Sequence, residues 1–213
     1  MVVRAVIFDL GGVLVRTEDF SGRRKWEERL SLSEGELSAI VFDSDTAARA
    51  TVGAVPESEV WRHVGLALDL NEREAAEMRR DFWGGDQLDS RLVEYLLSLK
   101  PRYRTAILSN AWSEARNIFV HIFGLGRVVD EMVISAEEGV AKPDARIYEI
   151  AARRLGVRPE EAVFVDDMKE NVEAAQTAGM CGVLFRNTDQ ALAEVNRCLN
   201  RDSDAQTGPQ AKQ

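Results

Sequence analysis

Residues 2–8 form an apolar, β-branched run that stops at Asp9 and is followed by Gly11 and Gly12. The run is too short for a helix and reads as a buried strand entering a tight turn. Segments 105–108, 132–134 and 162–165 have the same character, and they end at Ser109-Asn110, Ser135 and Asp166-Asp167. Residues 182–185 are a further strand candidate. Between these runs the apolar positions fall at helical spacing: Leu92, Leu96 and Leu99 within 91–99, and Ile147, Ile150, Ala151 and Leu155 within 146–155. Segments 171–178 and 190–199 follow the same rule. Strands alternating with helices predict an α/β fold, a Rossmann-like parallel sheet with helices on both faces. Ligands of such sheets bind beyond the carboxyl ends of the strands, and the polar residues that end these runs fall there.

The alternation breaks between residues 16 and 85, where no strand pattern is evident and helix starts recur. Ser33 with Glu36 and Asn71 with Glu74 have capping-box spacing, and Pro56 suits a first helical turn. The economical reading is an all-helical block, 16–85, inserted into a core made of 1–15 and 86–199, with Gly84-Gly85 closing the insert. Residues 200–213 are polar, contain Gly208-Pro209 and lack apolar periodicity, which predicts a disordered tail.

Composition narrows the partners. Of 213 residues, 45% are hydrophobic and 30% charged, the balance of a soluble globular protein. The net charge of −9 repels nucleic acid and anionic membranes, so neither is expected as a partner. A phosphate-bearing substrate would need a local positive site against that background. Cys181 and Cys198 lack metal-ligand spacing and are too few for a secreted disulfide scaffold, so reduced, buried thiols are expected. The N-terminal run is interrupted by Asp9 and reads as neither signal peptide nor membrane span, which makes the cytoplasm the expected compartment. The pattern specifies no oligomeric state.

Several polar residues carry candidate chemistry. A carboxylate at the end of an apolar strand, as at Asp9, is costly unless paired, hydrogen-bonded or metal-bound, although a turn-forming Asp is an equal alternative. Asp166-Asp167 place like charges together at a second strand end. A cation between them would relieve the repulsion, and carboxylate oxygens suit Mg2+; acids at a helix N-terminus are the other reading. Lys142-Pro143-Asp144 and Ser109-Asn110 are weak signals alone, a surface charge and a helix cap respectively.

Taken together, the segments Val6-Ile7-Phe8-Asp9-Leu10-Gly11-Gly12-Val13-Leu14, Ile107-Leu108-Ser109-Asn110-Ala111, Lys142-Pro143-Asp144 and Phe164-Val165-Asp166-Asp167, continuing to Asn171 and Gly179, resemble the motifs of the haloacid dehalogenase-like superfamily. The resemblance runs from about residue 3 to 185, and the helical insert looks like the α-helical cap of one large subgroup. It implies a Mg2+-dependent phosphatase acting on a small phosphorylated substrate. Asp9 would be the nucleophile that forms an aspartyl-phosphate. Mg2+ would be held by Asp9, the Gly11 carbonyl, Asp166 and Asp167, with Asp167 the firmer ligand of the acid pair. Ser109 and the backbone N–H groups of Asn110 and Ala111 would bind phosphoryl oxygens, and Lys142 would neutralise the phosphate and Asp9. The helical block would close over the site.

One position departs from the pattern. Family phosphatases usually carry a second Asp two residues after the nucleophile, which protonates the leaving group and activates water; here that position is Gly11. Positioned acid/base catalysis is worth roughly 10²–10⁴-fold, so easily departing groups such as aryl, acyl or sugar 1-phosphates are expected to be favoured. Glu18 and Asp19, at the entrance to the helical block, are candidate replacements if the hinge brings them in, and are otherwise exposed hinge charges. Two alternatives are a binding or regulatory domain that has lost turnover and a metal-free 2-haloacid dehalogenase, which would leave the acid pair without a role. Arg23-Arg24-Lys25 read as a solvated helix face, and Trp26, Trp61 and Trp83 as packing within the block or against the core. Trp112 is the aromatic expected to line the pocket. His63 and His121 have no acid partner at useful spacing.

Overall fold

The computed structural model describes residues 2–200. Its strands are β1 (Ala5–Phe8), β2 (Val15–Thr17), β3 (Asp86–Leu88), β4 (Arg104–Ser109), β5 (Glu131–Ile134), β6 (Ala162–Asp166) and β7 (Cys181–Leu184). Five of them form a sheet in the order β5-β4-β1-β6-β7, with every neighbouring pair parallel. The central strand is buried on both faces, as parallel strands under crossover helices must be. Val6 and Phe8 join one apolar cluster while Ala5 and Ile7 join another, the period-two alternation of a strand.

The helices are α1 (Ser21–Leu30), α2 (Glu36–Phe42), α3 (Asp45–Thr51), α4 (Glu57–Ala67), α5 (Glu72–Trp83), α6 (Ser90–Leu99), α7 (Ala115–Asn117), α8 (Ser135–Glu138), α9 (Ala145–Arg154), α10 (Lys169–Thr177) and α11 (Thr188–Asn200). Leu92, Leu96 and Leu99 of α6 and Ala191, Val195 and Cys198 of α11 cover one face of the sheet. Ile147, Tyr148 and Ala151 of α9 and Ala175 of α10 cover the other. This is the expected α/β architecture.

Helices α1–α5 pack around Trp26, Leu37, Val41, Val60, Trp61, Met78 and Phe82 as a separate apolar cluster. Asn71 and Glu74 form the complete capping box at α5. The Ser33–Glu36 box is only half made: Glu36 accepts the Ser33 N–H at 2.8 Å, but α2 starts after Gly35 without a side-chain cap. The expectation of no strand between residues 16 and 85 needs correcting, since β2 extends to Thr17. Val15–Thr17 pairs antiparallel with Asp86–Leu88, forming a two-stranded ribbon at the root of the helical block. Three-residue strands with one partner carry too little apolar periodicity to announce themselves. Gly85 closes the ribbon, because a Cβ there would lie 1.7 Å from the Asp19 carbonyl oxygen.

Two further expectations are corrected. Cys181 and Cys198 form a disulfide, because β7 and α11 bring their Cα atoms to 6.6 Å across a separation of 17 residues. Arg23 is not solvated: its guanidinium bonds the Phe82 carbonyl at 3.0 Å and Thr17 Oγ1 at 2.9 Å and lies 4.1 Å from the Phe82 ring centroid. Beyond Asn200, which still belongs to α11, the expected tail lies outside the described residues. Among the described residues, no helix is long and apolar enough to cross a membrane.

Candidate active site

The sheet topology gathers the candidate residues. β1 lies between β4 and β6, so Ser109, Asp9 and Asp166 emerge side by side at one edge. The Asp9 N–H still follows the ladder, donating to the Val165 carbonyl at 2.8 Å. Its carboxylate accepts the Leu10 N–H at 2.6 Å, which fixes the side chain at the start of the turn.

Lys142 reaches the cluster from the segment before α9. Its ammonium lies 2.9 Å from Asp9 Oδ2 and 2.6 Å from Asp166 Oδ2, and the residue is only 5% exposed. A buried cation between two buried anions satisfies the pairing that such charges require. Asp166 is wholly buried and also accepts the Met168 N–H at 2.8 Å and the Asn171 carboxamide at 3.1 Å. Its oxygens are therefore heavily engaged, whereas Asp167 is exposed. One oxygen each of Asp9, Asp166 and Asp167 lies within 4.8 Å of the others. All-oxygen, anionic donors at that spacing fit a hard divalent cation such as Mg2+.

Burial pushes the Asp9 carboxyl up to about 7; Lys142 opposes the rise and Asp166 adds to it. Burial also raises Asp167, with Asp166 contributing. For Lys142, burial acts to lower the ammonium, but Asp9 and Asp166 reverse this and leave it raised and charged.

The two glycines after Asp9 differ. Gly12 has φ +76°, and a Cβ there would sit 2.3 Å from the Asp167 carboxylate. Gly12 thus permits the close approach of the loop to the acid. A Cβ on Gly11 would meet nothing within 4 Å, and its φ lies outside the left-handed range. The backbone at 11 is open to a side chain that the sequence does not supply.

Ser109 is buried at the end of β4. The Asn110 carboxamide donates to the Lys142 carbonyl and accepts the Lys142 N–H, both at 2.9 Å, so its side chain places the lysine. The Ala111 N–H donates to Ser135 Oγ at 3.0 Å. The Lys142–Pro143 peptide is cis. Ser135, and Asn171 as a partner of Asp166, were not singled out as site residues in the sequence; Asn171's place three residues into α10 and Ser135's at the end of β5 are the signals that mark them. Glu18 and Asp19 have other partners, Arg16 at 3.3 Å and the Ser21 N–H at 2.8 Å. Trp112 packs into the helical block, 5.8 Å from Phe42 and 6.1 Å from Trp61 between ring centroids.

Comparison with known proteins agrees with this geometry. A family model described as haloacid dehalogenase-like hydrolase matches residues 3–179. The bifunctional epoxide hydrolase 2 of Sus scrofa is 27% identical over 216 residues, covering 92% of this chain and 39% of that protein, so the chain spans about two fifths of its length. A sesquiterpene phosphatase of Aspergillus oryzae is 29% identical over 201 residues, covering 92% of this chain and 96% of that protein. A HAD family enzyme of Bacteroides thetaiotaomicron, solved in complex with magnesium and inorganic phosphate, superposes with a TM-score of 0.72 at 17% identity, covering 86% of this chain and 94% of that one. With a strand-end carboxylate, a buried lysine and an acid pair in family order on the matching fold, the chain belongs to the haloacid dehalogenase-like hydrolases.

Proposed function

We propose that the protein is a Mg2+-dependent phosphatase that hydrolyses a small phosphorylated metabolite through an aspartyl-phosphate on Asp9. The observation that carries this reading is the Asp9–Lys142–Asp166 ion cluster with Asp167 beside it. The fungal relative, named as a phosphatase over nearly its whole length, supports it. Asp9, Asp166, Asp167 and the Gly11 carbonyl would hold Mg2+, which supplies charge stabilisation for the transferring phosphoryl group.

An Asp9 oxygen attacks phosphorus as the bond to the leaving oxygen breaks, and water later cleaves the acyl phosphate to release inorganic phosphate. Lys142 offsets the charge of nucleophile and phosphate together, while Asn110 fixes its backbone. Ser109 and the Asn110 N–H hold phosphoryl oxygens, and the Ala111 N–H, which donates to Ser135 Oγ at 3.0 Å, joins them only by leaving that partner. With glycine at position 11 no side chain there protonates the leaving group, so substrates with stable leaving anions, aryl, acyl or sugar 1-phosphates, are favoured. The helical block, residues 16–85, acts as the cap that excludes water from the core formed by 1–15 and 86–199.

The test is a phosphatase screen with and without Mg2+, using Asp9→Asn as control. Metal-dependent release of phosphate from p-nitrophenyl phosphate, faster than from glycerol phosphate and lost in the variant, is expected. Equal turnover of the two esters would refute the leaving-group preference, and no turnover of any phosphate would refute the phosphatase reading.

A further inference from the structure

We propose that Arg16 and Asp89 are a positioning pair that holds the loop after the nucleophile and thereby sets the affinity of the acid cluster for its divalent cation; this rests on the metal site of the proposed function. Arg16 lies in β2, where the helical block joins the core. Its guanidinium donates to the Val13 carbonyl at 2.7 Å and to Asp89 Oδ2 at 2.9 Å. Asp89 in turn gives its own N–H to the Leu14 carbonyl at 2.8 Å. Two consecutive carbonyls of the loop are thus held by one ion pair.

Asp89 is itself firmly fixed. Its side chain is 7% exposed, its Oδ1 caps α6 through the Leu92 N–H at 3.1 Å, and its Oδ2 accepts Thr188 Oγ1 at 2.5 Å. The Phe185 ring lies 5.5 Å from the Arg16 guanidinium carbon. The pair therefore ties the loop to α6 and to the start of α11, two rigid elements of the core.

The loop needs such an anchor. It carries Gly11, whose carbonyl the proposed function assigns to the metal, and Gly12, where a Cβ would sit 2.3 Å from the Asp167 carboxylate. A small displacement of the loop changes the distance between Asp9, the Gly11 carbonyl and Asp167 together. Groups that orient metal ligands from behind are commonly worth about 10–100-fold in affinity. The guanidinium suits the task because its fork bonds a carbonyl and a carboxylate at once, which an ammonium does not reproduce.

The experiment is a calorimetric titration of Mg2+ alone into the full chain and into Arg16→Gln, Arg16→Lys and Asp89→Asn. Asn at 89 can still cap α6, so this variant removes the charge while leaving the helix start intact. About tenfold weaker Mg2+ binding is expected in Arg16→Gln and Asp89→Asn, with Arg16→Lys between them and wild type. Faster amide exchange across residues 10–15 should accompany the loss. Arg91→Gln breaks the neighbouring surface pair with Asp189 and should leave Mg2+ affinity unchanged. If the folded variants bound Mg2+ within twofold of wild type, even with lowered melting temperatures, the pair would be a structural staple and the proposal would fall. A wild type that bound no Mg2+ would bring down the metal reading itself, and the proposal with it.

Discussion

Position 11 offers the most direct residue-scale test, because space and backbone there accept a side chain. Gly11→Asp should fold normally and raise turnover of glycerol phosphate by up to about 10²-fold, with a smaller gain on p-nitrophenyl phosphate. Steady-state kinetics on both esters checks this; equal gains would mean that leaving-group protonation does not limit the native enzyme. Gly12 is the contrasting case, since its φ and the adjacent Asp167 leave no room for a Cβ. Asp9 makes a further prediction. Its carboxyl is pushed up to about 7 by burial, so protons and a divalent cation compete for it near neutrality. Below that value the protonated form dominates, and Mg2+ affinity should fall as pH drops; above it, affinity should level off. Mg2+ titrations over about three pH units centred on that midpoint would show a flat profile if Asp9 were not a ligand. Asp9, Lys142, Asp166 and Asp167 were legible because charged residues ending apolar strands or opening a helix stand out against their surroundings. The side-chain role of Asn110 was hidden, since a hydrogen bond to a backbone 32 residues away leaves no sequence pattern.

At the scale of elements, the three central strands were readable because burial on both faces makes each a short, almost uninterrupted apolar run. The ribbon of β2 and β3 was not, because its three-residue strands are half-polar and stabilised by one partner and by Arg16, Thr17 and Asp86 side chains. The disulfide between β7 and α11 was misread for a related reason: the compartment argument concerns average usage, whereas pairing depends on where two elements pack. Closing a loop of 17 residues restricts the unfolded chain by roughly 3 kcal/mol. Reduction, or Cys198→Ala, should therefore lower the melting temperature of this 213-residue chain by several degrees, on the order of 5 °C. Thermal scans with and without reductant check it, and identical curves would show that the bond contributes nothing in solution.

At the scale of the whole molecule, the helical block is joined to the core through specific side-chain contacts as well as through the ribbon. The sequence indicated the block from its helix starts but not its docking, which is made by residues distant in the chain. Trp112 leaves the loop after β4 and inserts into the block, where its indole N–H donates to Thr51 Oγ1 at 3.2 Å. The next residue, Ser113, accepts the Glu57 N–H at the start of α4 at 3.2 Å. Beside them Gly53, at φ +69°, lets the block approach the Ala136 carbonyl so closely that a Cβ would stand 2.1 Å from its oxygen. These contacts come from the loop after β4 and from α8 directly after β5, so the block docks on the side of the sheet that carries Ser109. Trp112→Ala removes a side chain that is 8% exposed within an aromatic cluster, a loss of about 3–5 kcal/mol for a buried ring. Because the ring joins two bodies, the loss should appear as weaker coupling between them as well as lower overall stability. Limited proteolysis should then cut the ribbon at residues 15–20 and 84–89 well before the core unfolds. A variant that melted in one transition at the wild-type temperature, with no early cleavage, would show that Trp112 only fills space and that the block is held by other contacts.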